Sequence, residues 1–288
     1  MKKLRLSPYI WSTAVMALSL ALALWVASFI KPSFVSGDIP YQSSSLWVIL
    51  VYFFAAIVVI AVIFFFIPLD KLKYVFRIVF AVMFGWGIFI VTFFKIPTPA
   101  AYALAGVAAL IWLFWARIWL HDLLLLVALA AAAAIFGYLF SPLTFMIFML
   151  VVSVYDILAV RFGLMVWMAD KLSDTTSLPA FIFPKNPGDV ALKLKVVQFN
   201  ELRKEEAAKR EYVILGGGDI GFPLMMAVSV NFKYGLAGGI LVGALATLGL
   251  MGAFLIQKLW LKGKPMPALP PVTFMSLVGY LIVFFFLK

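Results

Sequence analysis

The chain has 288 residues, of which 66% are apolar and 12% charged, with a mean hydropathy of +1.13. These values lie far outside the range of water-soluble domains and place the chain in a membrane. A formal charge of +11 would suit nucleic acid, but lysine and arginine gathered on cytoplasmic loops account for it, so no nucleic-acid partner is expected. The absence of cysteine removes disulfide and thiol chemistry.

Apolar runs of about twenty residues, each able to cross a hydrocarbon core of ~30 Å as a helix, fill most of the chain. The first follows Met1-Lys2-Lys3-Leu4-Arg5, a start resembling a signal peptide, but the run is longer than the 7–15 residues such a segment uses. Nine spans are predicted, at 9–30, 46–66, 74–94, 100–116, 123–140, 143–162, 212–230, 235–256 and 272–287. Proline and charge separate them, as at Pro68-Leu69-Asp70-Lys71, Lys95-Ile96-Pro97 and Ser141-Pro142. With the N-terminus cytoplasmic, 19 lysines and arginines lie inside and only Lys31, Lys95, Lys233 and Lys288 outside. Without the long connection after the sixth span the ratio is still 10 to 4. The expected fold is therefore an all-α polytopic membrane protein with nine transmembrane helices, N-terminus cytoplasmic and C-terminus outside. In domain terms, 1–162 holds helices one to six, 163–211 is a cytoplasmic loop, and 212–288 holds helices seven to nine, in one membrane unit.

The loop begins with apolar 164–168 and then turns polar. Leu192-Lys193-Leu194-Lys195-Val196 alternates like a short amphipathic strand. Asn200 is placed to cap a helix over 201–210, where Glu205/Lys209 and Glu206/Arg210 are favourable pairs. A solvated linker and a docking or regulatory element fit this loop equally well.

Of the twelve acidic residues, Asp156 and Asp219 alone fall inside apolar runs. An ionisable side chain at membrane depth is costly and marks function by default. Asp156 precedes the inner end of the sixth span by six residues, and Asp219 follows the inner start of the seventh by seven. At ~1.5 Å per residue both lie roughly 9–11 Å below the cytoplasmic boundary, so adjacent antiparallel helices would pair them. Two carboxylates sharing a site cannot both ionise cheaply, so one serves as general base on a water while its protonated partner polarises a carbonyl. A lone aspartate could instead hydrogen-bond between helices; the matched depth favours the pair. Gly217 and Gly221 have the spacing of close helix packing, as do Gly238, Gly239 and Gly243, yet three successive glycines also suit a helix end opening onto a cavity.

These residues carry a resemblance. Tyr155-Asp156, Gly216-Gly217-Gly218-Asp219 and Pro267-Ala268-Leu269 resemble the YD, GxGD and PAL motifs of the presenilin and signal peptide peptidase family, in order and on the matching spans. The chain is similar to microbial, archaeal-type members over essentially its whole length. The resemblance implies an intramembrane aspartyl protease with Asp156 and Asp219 as catalytic dyad, without metal or cofactor. It makes Tyr155, Gly216, Gly217, Gly218, Pro267, Ala268 and Leu269 the substrate-binding set. Pro265, Pro267, Pro270 and Pro271 are expected to keep the PAL segment extended, with carbonyls free for an unwound substrate strand. The implied partners are a transmembrane peptide or protein substrate and the lipid bilayer of the cell membrane, and a homo-oligomer is compatible with the reading. Gly217 departs from the family, which usually has a larger apolar residue there. The loop between the catalytic spans is shorter than in animal presenilins, so self-cleavage does not carry over. The inferred orientation is that of presenilins, whereas Gly218-Asp219-Ile220 with Pro223 is closer to the peptidase branch.

Other chemistries fare worse. His121 is the only histidine, so zinc has no ligand set and a serine nucleophile no Gly-x-Ser-Gly beside it; next to Asp122 at a helix end it reads as interfacial. Prepilin-type peptidases share GxGD but not PAL or the nine spans. A proton- or cation-coupled transporter using the same aspartates is the rival from another class, disfavoured by an odd span count without a visible inverted repeat. A non-catalytic chaperone of membrane helices would have the same sequence features.

Overall fold

The computed structural model describes residues 8–35, 45–66, 69–163, 178–194, 212–261 and 266–287. Among these lie nine α-helices: α1 Pro8–Val35, α2 Leu46–Phe66, α3 Leu69–Phe93, α4 Thr98–Phe114, α5 Ile118–Leu139, α6 Pro142–Arg161, α7 Gly217–Tyr234, α8 Leu236–Leu259 and α9 Leu269–Phe286. Two short strands, β1 Ala180–Pro184 and β2 Tyr212–Gly216, form an antiparallel ribbon beside them. Seven helices are long and apolar enough to cross a membrane; α4 has 17 residues, and α7 is the other exception. The expected seventh span loses length because residues 212–216 are extended rather than helical.

Local chemistry explains the helix starts. Ser141 caps α6 by accepting the Thr144 N–H at 3.2 Å, with Pro142 in the first turn, where its missing N–H costs nothing. Pro270 and Pro271 occupy the first turn of α9 in the same way, so this end of the proline-rich segment starts a helix instead of preventing one. Between α7 and α8 the chain reverses at Gly235, whose φ of 90° suits a residue without Cβ.

The alanines of α5 decide where the core sits. Ala128, Ala130, Ala131, Ala133 and Ala134 are all buried, and their small side chains let α5 pack against α1, α3 and α7 at once. A second apolar cluster joins α6, α7, α8 and α9, with α2 on its flank. No residue of α2 whose side chain is described is buried. Leu46, Ile49, Leu50 and Phe53 pack on that cluster, and the Phe53 ring meets Phe148 of α6 and Phe222 of α7 edge-on.

Part of the loop docks. Ile118 N–H bonds the Leu192 carbonyl and Leu194 N–H the Ala116 carbonyl, both at 3.2 Å, which makes a single bridge between Arg117 and Lys193 where an amphipathic strand was expected. Lys195, Val196, the predicted 201–210 helix with its Asn200 cap, and Pro265 lie outside the described residues.

Candidate active site

The two aspartates reach one place from different local structures. Asp156 lies in the last turns of α6 and is buried, 6% exposed. Asp219 is the third residue of α7, in its first turn, and is half-buried. The glycine triplet is a strand-to-helix junction: β2 ends at Gly216, which caps α7, and the helix starts at Gly217. The carboxylate of Asp219 folds back toward Gly216, its Oδ2 3.1 Å from where a Cβ on that glycine would stand, the side an acid at this position of a capping box takes. The free N–H groups of this helix end also favour negative charge there. Asp156 stands close enough to Asp219 for their charges to interact.

The third motif meets the first. The N–H of Leu269, at the start of α9, donates to Asp156 Oδ2 at 3.3 Å, so the carboxylate takes one of the donors a helix start leaves without an internal partner. About a turn away along both helices, Ser153 donates to Thr273 Oγ1 at 2.7 Å, a second rung between α6 and α9. Thr273→Val, which leaves the Ser153 hydroxyl without this partner, is expected to cost about 0.6–1.7 kcal/mol, the range of hydrogen bonds between membrane helices. Thermal unfolding in detergent measures it. Pro267 and Ala268 precede the helix, but Ala268 already has helical dihedrals, φ −87° and ψ −24°, and Leu269 is the first helical residue, so the motif is not extended throughout.

Tyr155 is half-buried, and its ring meets Phe53 and Phe54 of α2 edge-on, with centroids 6.3 and 6.2 Å away. Gly218 is exposed, and Gly217 is buried. Gly217 donates its N–H to the Pro179 carbonyl at 2.8 Å, and a Cβ there would lie 3.0 Å from that oxygen. Gly217 and Gly221 both face Leu129 of α5, the close packing their spacing suggests. Gly238, Gly239 and Gly243 also do this, against Val283, Asn231 and Leu20.

Sequence reasoning missed the ribbon and what holds it. His121 is not interfacial: it is fully buried, with Phe80, Phe84 and Trp112 around the imidazole at centroid distances of 6.3, 5.5 and 6.2 Å. Its Nε2 lies 3.2 Å from the Ala180 carbonyl, and the neighbouring Asp122 accepts the Ile182 N–H at 3.1 Å. Ala180 and Ile182 thus point away from β2. Backbone pairing across the ribbon therefore runs through Phe181 with Leu215 and Phe183 with Val213, continued by Pro179 with Gly217. Ile214 consequently turns its backbone groups to the far edge of β2, where no strand lies among the described residues. The available signal was Leu178–Phe183, an aromatic and branched run broken by Pro179 and closed by Pro184.

Residues 10–288 match the family model described as signal-peptide peptidase, presenilin aspartyl protease. The chain belongs to this family of aspartyl proteases and is an integral, multi-pass membrane protein. Two solved structures, both of a presenilin family intramembrane aspartate protease, in C222 and P2 space groups, share its fold. The first has a TM-score of 0.61 at 17% identity, covering 94% of this chain and 97% of the other. The second has 0.60 at 18%, covering 93% and 95%. No curated protein matches the sequence.

Proposed function

We propose that the protein hydrolyses peptide bonds within transmembrane segments of membrane proteins, with Asp156 and Asp219 activating a water. One observation carries this reading: three separate motifs converge, Asp156 beside Asp219 and the Leu269 N–H on Asp156. The ionised carboxyl takes a proton from water as its oxygen attacks the scissile carbonyl, and the protonated carboxyl donates to the carbonyl oxygen. The gem-diol then collapses, the amide nitrogen receives a proton, and the C–N bond breaks with the pair restored.

A peptide bond must be unwound before water can attack it, and the far edge of β2 suits that task. Ile214 lies two residues before Gly216, against which the Asp219 carboxylate sits, so a strand added there would run toward the carboxylates. This supports β2, rather than an extended PAL segment, as the main-chain partner of the substrate. Tyr155, the three glycines and Pro267-Ala268-Leu269 would border the bound strand. Nine helices crossing with the N-terminus cytoplasmic put the ribbon, Asp156 and Asp219 toward the cytoplasmic side of a single membrane unit.

The test is incubation of the purified protein in detergent with a single-span substrate and mass spectrometry of the fragments. Cuts within the span that require both aspartates are the expected result. Ion flux into liposomes that requires both, with no cleavage, would replace this reading with a coupled transporter.

A further inference from the structure

We propose that His121 and Asp122 are positioning residues that close the outer edge of β1 and thereby set the register of the strand leading to Asp219. The inference rests on the protease reading for its consequence in catalysis, but not for its geometry.

A strand edge is a row of unpaired donors and acceptors, and a two-stranded ribbon has two such edges. On β1 the outward groups are the Ala180 carbonyl and the Ile182 N–H, which flank Phe181. A carbonyl can only accept, so His121 Nε2 carries the proton and donates to Ala180, while Asp122 accepts from Ile182. This adjacent donor and acceptor supply what the N–H and C=O of one residue in a neighbouring parallel strand would supply. A fully buried imidazole seated among Phe80, Phe84 and Trp112 cannot swing away without opening the contacts of α3 and α4 with α5.

The same helix fixes the other end of the path. Leu129, two turns beyond His121 on α5, packs against Gly217 and Gly221 of α7, and Gly217 is tied to β1 through Pro179. β1 is thus held to α5 by side chains, β2 to β1 by backbone pairs, and α7 to both. With the edge of β1 occupied, β2 offers the open edge, the one that leads to Asp219. Losing the clamp leaves Ile182 without its acceptor, so the ribbon is free to shift against α5 and a bound strand is no longer set against the carboxylates.

Four variants of the full chain test this: Asp122→Ala and His121→Ala, which remove the partners, and Asp122→Asn and His121→Gln, which keep an acceptor and a donor of similar reach. In detergent, amide hydrogen exchange over 180–184 and 212–216 should quicken at least tenfold in the alanine variants and within twofold of wild type in the conservative pair. Cleavage at saturating substrate should fall at least tenfold with alanine, spread to neighbouring bonds, and return to within threefold with Asn and Gln. Unchanged exchange in both alanine variants would overturn the proposal. So would an Asn variant that exchanges like wild type but cleaves no better than Ala. If the alanine variants do not fold, the conservative pair decides: normal exchange with normal cleavage supports the clamp, and faster exchange or lost cleavage refutes it. A wild type that does not cleave fails the protease reading, while the exchange comparison still judges the clamp.

Discussion

Replacing either aspartate is expected to abolish cleavage, and the choice of replacement should separate chemistry from folding. A positioned acid–base group contributes about 10²–10⁴-fold, and the two act as a unit, so each single variant should fall by at least ~10³. Asp219 also folds back against Gly216 at the start of α7, and Asp156 accepts the Leu269 N–H at the start of α9. Alanine removes these carboxylates and, at Asp156, leaves the Leu269 N–H unpaired, a loss of about 1–3 kcal/mol for a buried donor. Asparagine keeps a carbonyl oxygen in place, so Asp156→Asn and Asp219→Asn should unfold near the wild-type temperature and remain inactive. The Ala variants should be inactive and less stable. Fragment mass spectrometry and thermal unfolding in one detergent read both effects. Asparagine variants that cleave at more than about a tenth of the wild-type rate would refute the carboxylate chemistry, because an amide cannot act as general base at neutral pH.

The second large effect is expected at Gly249, far from either aspartate in sequence. It lies on α8 against the first turn of α9, and a Cβ there would stand 2.7 Å from the Pro271 carbonyl oxygen and 2.8 Å from Val272 Cα. Both are backbone atoms, so the clash is relieved only by moving the start of α9, which carries Leu269 and its bond to Asp156. Gly249→Ala should cost about 1–3 kcal/mol through overpacking and reduce cleavage at least tenfold. Gly252, one turn along the same helix, has nothing within 4 Å of an added Cβ. Gly252→Ala should therefore keep activity and gain up to about 1 kcal/mol from helix propensity. Equal behaviour of the two variants, in unfolding temperature and in cleavage, would show that the α8–α9 contact does not govern the site.

Gly217 illustrates how a departure from a motif acquires a cause. Its neighbours in sequence suggested close helix packing or a helix end. Its N–H bond to Pro179, and the 3.0 Å that a Cβ would leave to that carbonyl, tie the absence of a side chain to the strand crossing beside it. That strand belongs to a segment read equally as linker or docking element, because the four residues between Pro179 and Pro184 are too few for a periodicity to declare itself. His121 was misplaced for a related reason. A histidine near a helix end is interfacial unless something covers that end, and here β1 and the aromatic rings of α3 and α4 do.

What the sequence determined by itself was what depends on the solvent and on local chemistry. Long apolar runs in a medium without water must be helices, which gave the architecture, and two carboxylates within such runs had to be justified by one another. Three motifs in order then named the family. The tertiary structure decided how the motifs meet: the seventh run opens as a strand, its helix begins at Gly217, and Leu269 rather than a free carbonyl segment faces Asp156. Those choices rest on hydrogen bonds between residues as much as 113 positions apart, as from Leu269 to Asp156, and no local pattern encodes such a partner.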